Sequence, residues 1–190
     1  PYRDGSSTLR DFFCRRENQQ YAPDVLIQVT DALLRIRRKY PTFRHNDLHH
    51  ENVMVTEWKQ APPYYVFGSR NLKLAEGAPR VVIIDFGFST EETPDGELQT
   101  KYTIENAMGT APDLNIRPYP SEWYDMMVML LSTDKATGAL QFVLEEIGVN
   151  SIQFEKEIRP TERWCMMVER MVREGAVPTV EKWAAATKLF

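Results

Sequence analysis

Two short stretches hold most of the side chains that could do chemistry. The first is His45-Asn46-Asp47-Leu48-His49-His50-Glu51-Asn52, and the second, farther along, is Ile84-Asp85-Phe86-Gly87. Asp47, Asn52 and Asp85 put three oxygen-bearing side chains on two loops, and oxygen donors suit hard divalent cations and the phosphates they bridge. All three histidines fall within the first stretch, and His45 and His49 stand four apart, a spacing that on a helix can chelate zinc. The sequence around them does not read as helix and lacks the H-E-x-x-H order, so His49 and His50 read as loop residues facing solvent or substrate. A competing reading makes Asp47, Asn52 and Asp85 loop-capping polar residues of an unrelated α+β domain. The ordered pattern H-x-D-L-x-x-x-N, apolar strand, second apolar strand, D-F-G argues against it.

These loops need elements to position them. Leu26, Val29, Leu33, Ile36 and Tyr40 recur at spacings of three and four, which predicts a long helix with one apolar face. Pro23 and Asp24 suit its start; Arg35, Arg37, Arg38 and Lys39 suit its C-terminal dipole, and Pro41 stops it. Gly5 to Phe13 reads as a short capped helix after a glycine turn. Val53-Met54-Val55 and the β-branched run Val81 to Ile84 read as strands, the second ending at Asp85. Tyr64 to Phe67 and Leu72 to Leu74 flank Gly68-Ser69-Arg70 as an inserted hairpin. Thr90 to Pro120 is rich in Thr, Pro, Gly and Asp and reads as a long surface loop. From about Ser121 through Leu131 the pattern is apolar nearly all round, which predicts a helix buried at the centre of the fold. Further helices are expected near Leu140 to Ile147, around Trp164 to Val172, and around Val180 to Ala184. The sequence therefore predicts an α+β, mainly α, single domain.

Composition narrows the function classes. The chain has 190 residues, 43% hydrophobic and 26% charged, with a net charge of −4. That length supports a hydrophobic core, and the charge provides no basic field for nucleic acid or anionic lipid. No run approaches a membrane span and no signal peptide opens the chain. Cys14 and Cys165 lie far apart without metal-type spacing and read as reduced thiols of an intracellular, cytoplasmic protein. The first residue is Pro1, which fits part of a longer protein.

The pattern H-x-D-L-x-x-x-N with D-F-G is the catalytic-loop and metal-loop signature of protein kinases. The chain resembles the large lobe of eukaryotic-type Ser/Thr protein kinases. It is similar in particular to atypical kinases of large DNA viruses, where an H-N-D-L-H loop, an inserted hairpin and I-I-D-F-G-F-S occur together. The resemblance spans essentially the whole chain, with the two loops as its specific part. It implies ATP and Mg2+ as cofactors and a protein Ser/Thr hydroxyl as acceptor. Asp47 would accept the hydroxyl's proton, Asn52 would bind one magnesium ion, and Asp85 would bind the magnesium ions bridging the β- and γ-phosphates. Met54 would form part of the floor under the adenine. His45 and Phe86 would pack the loops together, Gly87 would permit the turn that aims Asp85, and Asp125 would anchor the catalytic-loop backbone. By the same resemblance residues 1–22 follow the hinge, 45–52 form the catalytic loop, 56–80 contain the inserted hairpin, 85–120 form the metal loop and activation segment, and 121–190 form the helical subdomain. A viral origin would bring host cytoplasm or the virion as location, and virion or host proteins as partners.

The pattern has departures. No Gly-rich loop, strand Lys or helix Glu is present, so a small lobe upstream of Pro1 or in another chain is expected as a partner. Position 46 is Asn where the kinase pattern has Arg, which predicts that phosphorylation of the activation segment is not the main switch. His49 stands where Ser/Thr kinases place Lys, and aminoglycoside- and choline-type small-molecule kinases often have His there. Gly109-Thr110-Ala111-Pro112-Asp113 replaces the A-P-E sequence. Two alternatives follow: a catalytically inactive kinase-like structural or interaction protein, such as a virion component, and a small-molecule kinase.

Overall fold

The computed structural model describes residues 5–60, 62, 64–67, 70–100 and 124–146. The helices expected around Trp164 and Val180, and the Gly109 to Asp113 segment, lie outside the described residues. In chain order the elements are β1 (Ser7–Thr8), α1 (Leu9–Phe13), a 3-10 turn (Arg16–Tyr21), α2 (Ala22–Lys39), β2 (Val53–Thr56), β3 (Tyr65–Phe67), β4 (Arg70–Leu72), β5 (Arg80–Ile83), a second 3-10 turn (Phe86–Phe88), β6 (Thr90–Glu92), β7 (Leu98–Thr100), α3 (Tyr124–Thr137) and α4 (Gln141–Glu146). The architecture is mixed α+β, with helices around a small antiparallel sheet.

The amphipathic pattern of residues 22–39 forms α2 as expected. Pro23 sits in its first turn, where a missing N–H is harmless, and Arg37, Arg38 and Lys39 occupy its last turn. Val25, Leu26, Val29 and Leu33 are buried. Tyr40 departs from the expected apolar face: it is the C-cap residue and exposed, with the Lys39 ammonium 5.1 Å from its ring centroid. In α3, every residue from Met126 to Leu131 is buried, as a helix apolar on all sides must be. Leu9 and Phe13 of α1, the inner face of α2, Leu48 from the loop, Val53 and Val55, and α3 with Leu140 and Leu144 form one core. Leu48 thereby pins the loop that carries Asp47 to the protein interior.

The central sheet has the order β1-β2-β5, all antiparallel, with Thr8 opposite Met54 and Val53 opposite Ile83. The two-residue strand β1, ahead of the expected helix, was not signalled by the sequence. Alternation along β2 places Val53 and Val55 in the core, with Val81 and Ile83 of β5 packed against it. Met54 and its partner Val82 therefore belong to the opposite face.

The inserted hairpin is β3–β4, paired from Tyr65–Leu72 to Phe67–Arg70, slightly earlier than Leu72 to Leu74 had indicated. It docks on α2. The Tyr65 hydroxyl donates to Asp31 Oδ2 at 2.8 Å, and Arg35 Nε donates to the same oxygen at 2.8 Å. Arg35 also donates to the Val66 carbonyl at 2.9 Å. Burial, with the Asp31 carboxylate adding to it, pushes the Tyr65 phenol far above its ordinary pKa. Arg35 thus ties the hairpin down as well as complementing the helix dipole. Tyr65→Phe is expected to lower stability by about 1 kcal/mol, the net value of one hydrogen bond. Amide hydrogen exchange would rise in residues 65–72 while α3 stays protected; unchanged exchange in the hairpin would contradict this docking.

The expected loop after Thr90 is corrected at its start: Thr90–Glu92 and Leu98–Thr100 form the β6–β7 hairpin. Its turn is Thr93-Pro94-Asp95-Gly96, closed by Gly96 N–H donating to the Thr93 carbonyl at 2.9 Å. Gly96 takes a φ of +81°, which a residue with a Cβ rarely adopts. Residues 101–120 lie outside the described part.

Candidate active site

The loop carrying Asp47 begins where Arg44 and Thr90 exchange two backbone hydrogen bonds, each 2.9 Å. Its next two residues are held from below by α3. Asp125, buried, accepts the His45 N–H at Oδ2 (2.8 Å) and the Asn46 N–H at Oδ1 (2.9 Å). Burial pushes the Asp125 carboxyl up, while these two N–H groups and the charges of His45 and Arg44 pull against it. Farther along, the His50 N–H donates to Ser132 Oγ of α3 at 3.1 Å. His50 is itself sunk into the protein, and that burial lowers its pKa.

Asn46 takes a φ of 64°, a left-handed conformation that Asn tolerates better than most residues. The turn aims its amide at the segment after Asp85: Nδ2 donates to the Phe88 carbonyl at 2.9 Å and to Thr90 Oγ1 at 3.0 Å. Nearby, Thr42 Oγ1 accepts the Glu92 N–H at 2.8 Å and donates to the Glu92 carbonyl at 3.1 Å. The sequence had marked position 46 only as a missing Arg. The structure makes it a neutral latch between the two loops. The signal was available in the residue type, since a short amide on a left-handed backbone is a common turn device.

Asp47 and Asn52 come together. Asn52, buried, donates through Nδ2 to the Asp47 carbonyl at 2.8 Å and to Asp47 Oδ2 at 3.2 Å. Backbone bonds from His49 N–H to the Asp47 carbonyl and from Asn52 N–H to the His49 carbonyl, both 2.9 Å, curl the loop so that positions 47 and 52 meet. His49 does not point freely to solvent. Its Nε2 lies 3.7 Å from Asp47 Oδ2 and 3.3 Å from Asn52 Nδ2, and its Nδ1 accepts the Glu51 N–H at 3.2 Å.

Asp85 reaches the same region through the sheet. The β2–β5 pairing continues one step past Val53–Ile83, with Ile84 N–H donating to the Asn52 carbonyl at 3.0 Å. Asp85, the next residue, is therefore set down beside Asn52. Its backbone is left-handed at φ 58°, and Oδ1 accepts the Gly87 N–H at 3.3 Å. His45 fastens this junction: its Nε2 donates to the Ile84 carbonyl at 2.9 Å, and its ring lies 5.0 Å from that of Phe86. Phe43 adds a second ring 6.2 Å from Phe86, which itself remains exposed.

The oxygen donors of Asn52 and Asp85 are of the type that suits magnesium. Asn52 turns its Nδ2 toward Asp47, which makes Oδ1 the acceptor end of the side chain, and Asp85 is exposed. An amide oxygen and a carboxylate are among the few protein ligands Mg2+ takes when phosphates and waters complete its shell. Met54 and Val82 form an apolar pair on the sheet face opposite Val53 and Val55. No group of three or more His, Cys, Asp or Glu among the described residues is placed to hold a metal ion, and His45 is engaged with Ile84, so the zinc reading gains no support.

No family model matches the chain, and no curated protein or solved structure gives a match. Among the described residues no helix is long and apolar enough to cross a membrane.

Proposed function

We propose that the chain is the large lobe of a protein kinase and transfers the γ-phosphoryl group of ATP to Ser or Thr hydroxyls of a protein. The observation that supports this reading is the meeting of Asp47 and Asn52 on one loop, with Asp85 following directly on Ile84, whose N–H bonds to the Asn52 carbonyl. In this mechanism Asp47 accepts the proton of the acceptor hydroxyl and orients its oxygen for in-line attack. Asn52 Oδ1 and the Asp85 carboxylate would hold Mg2+, which when bound would supply the charge neutralisation that phosphoryl transfer requires. Asp125, His45 and Asn46 keep the loops in register, so the reacting groups are placed before substrate arrives.

The grip on the α- and β-phosphates belongs to a small lobe, upstream or in another chain, and full activity is proposed to need it. The decisive experiment incubates the chain in its natural context with γ-labelled ATP, Mg2+ and a panel of polypeptide, aminoglycoside and choline acceptors, with Asp47→Asn as background. Label on polypeptide hydroxyls, abolished by chelating the magnesium, is the expected result. Label on the small molecules would reassign the substrate class. No label above background on any acceptor would overturn phosphoryl transfer and leave a kinase-like scaffold.

A further inference from the structure

The His49 ring has two N–H groups aimed at it, from Glu51 and from the Asn52 amide, yet a neutral imidazole accepts only one hydrogen bond in its ring plane. The conflict resolves by counting hydrogens. Asn52 Nδ2 has two, and both are used: one on the Asp47 carbonyl at 2.8 Å and one on Asp47 Oδ2 at 3.2 Å. Its 3.3 Å approach to His49 Nε2 is therefore proximity and not a hydrogen bond. The Glu51 N–H, at 3.2 Å, has Nδ1 as its acceptor. Accepting at Nδ1 leaves the ring proton on Nε2, and Nε2 faces Asp47 Oδ2 at 3.7 Å. The backbone of residue 51 thus selects a tautomer that aims a donor at the carboxylate of residue 47.

We infer that His49 is a positioning residue for Asp47: pinned by the Glu51 N–H, it directs Nε2–H at Asp47 Oδ2 and so sets the orientation of the carboxylate. At 3.7 Å the contact is longer than a hydrogen bond, and catalytic contacts of this kind tighten when substrate closes the site. With Asn52 on the same oxygen, Oδ2 has two donors from two directions, which fixes the rotation of the carboxylate about its own axis. The effect needs no change in the charge of the ring, and it belongs to the turnover step and not to nucleotide affinity. It rests on the phosphotransfer reading for its consequence, while the tautomer itself can be read without any activity.

The test therefore has two arms. Nitrogen-15 spectra of the histidine rings in the intact chain are expected to show His49 as the Nε2–H tautomer, with its Nε2 resonance moved by Asp47→Asn. An Nδ1–H tautomer, or an Nε2 resonance indifferent to Asp47→Asn, would overturn the inference. In the kinetic arm His49→Ala should lower kcat on the order of 10²-fold while KM for ATP stays within about twofold. His49→Gln, whose side-chain amide can again donate to Asp47, should recover most of the loss. A kcat unchanged in His49→Ala, a loss confined to KM, or no recovery with Gln would each overturn the positioning role. If the natural chain shows no transfer above Asp47→Asn, phosphoryl transfer fails as a function, and the nitrogen-15 arm alone decides whether His49 orients Asp47.

Discussion

An Asp85→Gly chain is expected to fold at least as stably as the natural one while losing magnesium-dependent phosphoryl transfer by on the order of 10³-fold. The two halves of this expectation have different causes. Asp85 sits at φ 58°, a conformation that costs an L-residue roughly 1–2 kcal/mol and that Gly adopts freely. Against that relief stands the greater freedom Gly gives the unfolded chain, about 0.5–1 kcal/mol. The exposed carboxylate contributes one local bond, to the Gly87 N–H at 3.3 Å, so little else opposes the exchange. Function moves the other way, because removing the carboxylate deletes the charged ligand proposed for the metal, and metal charge stabilisation is worth several kcal/mol. Strain at a polar, exposed position is a recurrent property of functional sites. Asp85→Asn separates the two effects: it keeps an oxygen and tolerates the backbone but drops the charge, and should fall between the natural chain and the Gly variant in activity. Denaturant unfolding and labelled-ATP transfer measure the two sides. A Gly variant that is markedly destabilised, or that keeps transfer within tenfold of the natural chain, would contradict this account of Asp85.

How much of this was legible in the residues depends on how each element earns its stability. The faces of α2 and α3 are written in apolar spacing because burial alone stabilises them, and their cores were readable from Leu26, Val29 and Met126 to Leu131. The central pair β2–β5 was readable for the same reason, through Val53 and the run at 81–84. The β6–β7 hairpin was not: its paired residues are Thr90–Thr100, Glu91–Gln99 and Glu92–Leu98, with no apolar alternation to detect. What stabilises it is backbone pairing and the Pro-Asp-Gly turn, a local signal hidden within a stretch whose composition reads as loop. The same division holds at the site. Asp47, Asn52 and Asp85 stood out by type and order, but residue types alone do not say which hydrogen a side chain will use on which neighbour. Asn46 and His49 acquire their roles from a left-handed turn and a backbone N–H, and neither has an alphabet of its own.

The buried carboxylate of Asp125 offers the largest stability effect among the site residues. It lies 5% exposed and accepts two backbone N–H groups, those of His45 and Asn46. Asp125→Ala would leave both donors facing an apolar gap in α3, and an unsatisfied buried donor costs about 1–3 kcal/mol each. The expected loss is therefore about 2–5 kcal/mol, near the range for breaking a buried charged pair. For a domain of this size that corresponds to a fall in Tm of very roughly 5–15 °C. Asn is no conservative substitute here. Its oxygen can keep one of the two bonds, but its amide nitrogen would then point a donor at the remaining N–H. Asp125→Asn should therefore lose a substantial share of the stability that Ala loses, and hydrogen exchange at His45 and Asn46 should rise in both variants. Because Asn46 holds the Asp47 loop in register with Phe88 and Thr90 and His45 holds it to Ile84, activity should fall even under conditions where the variants remain folded. Thermal unfolding and amide exchange check the first claim, and transfer assays well below the variant's Tm check the second. A melting temperature unchanged in Asp125→Ala would mean that the loop is not held from α3, and the geometry proposed for the site would lose its foundation.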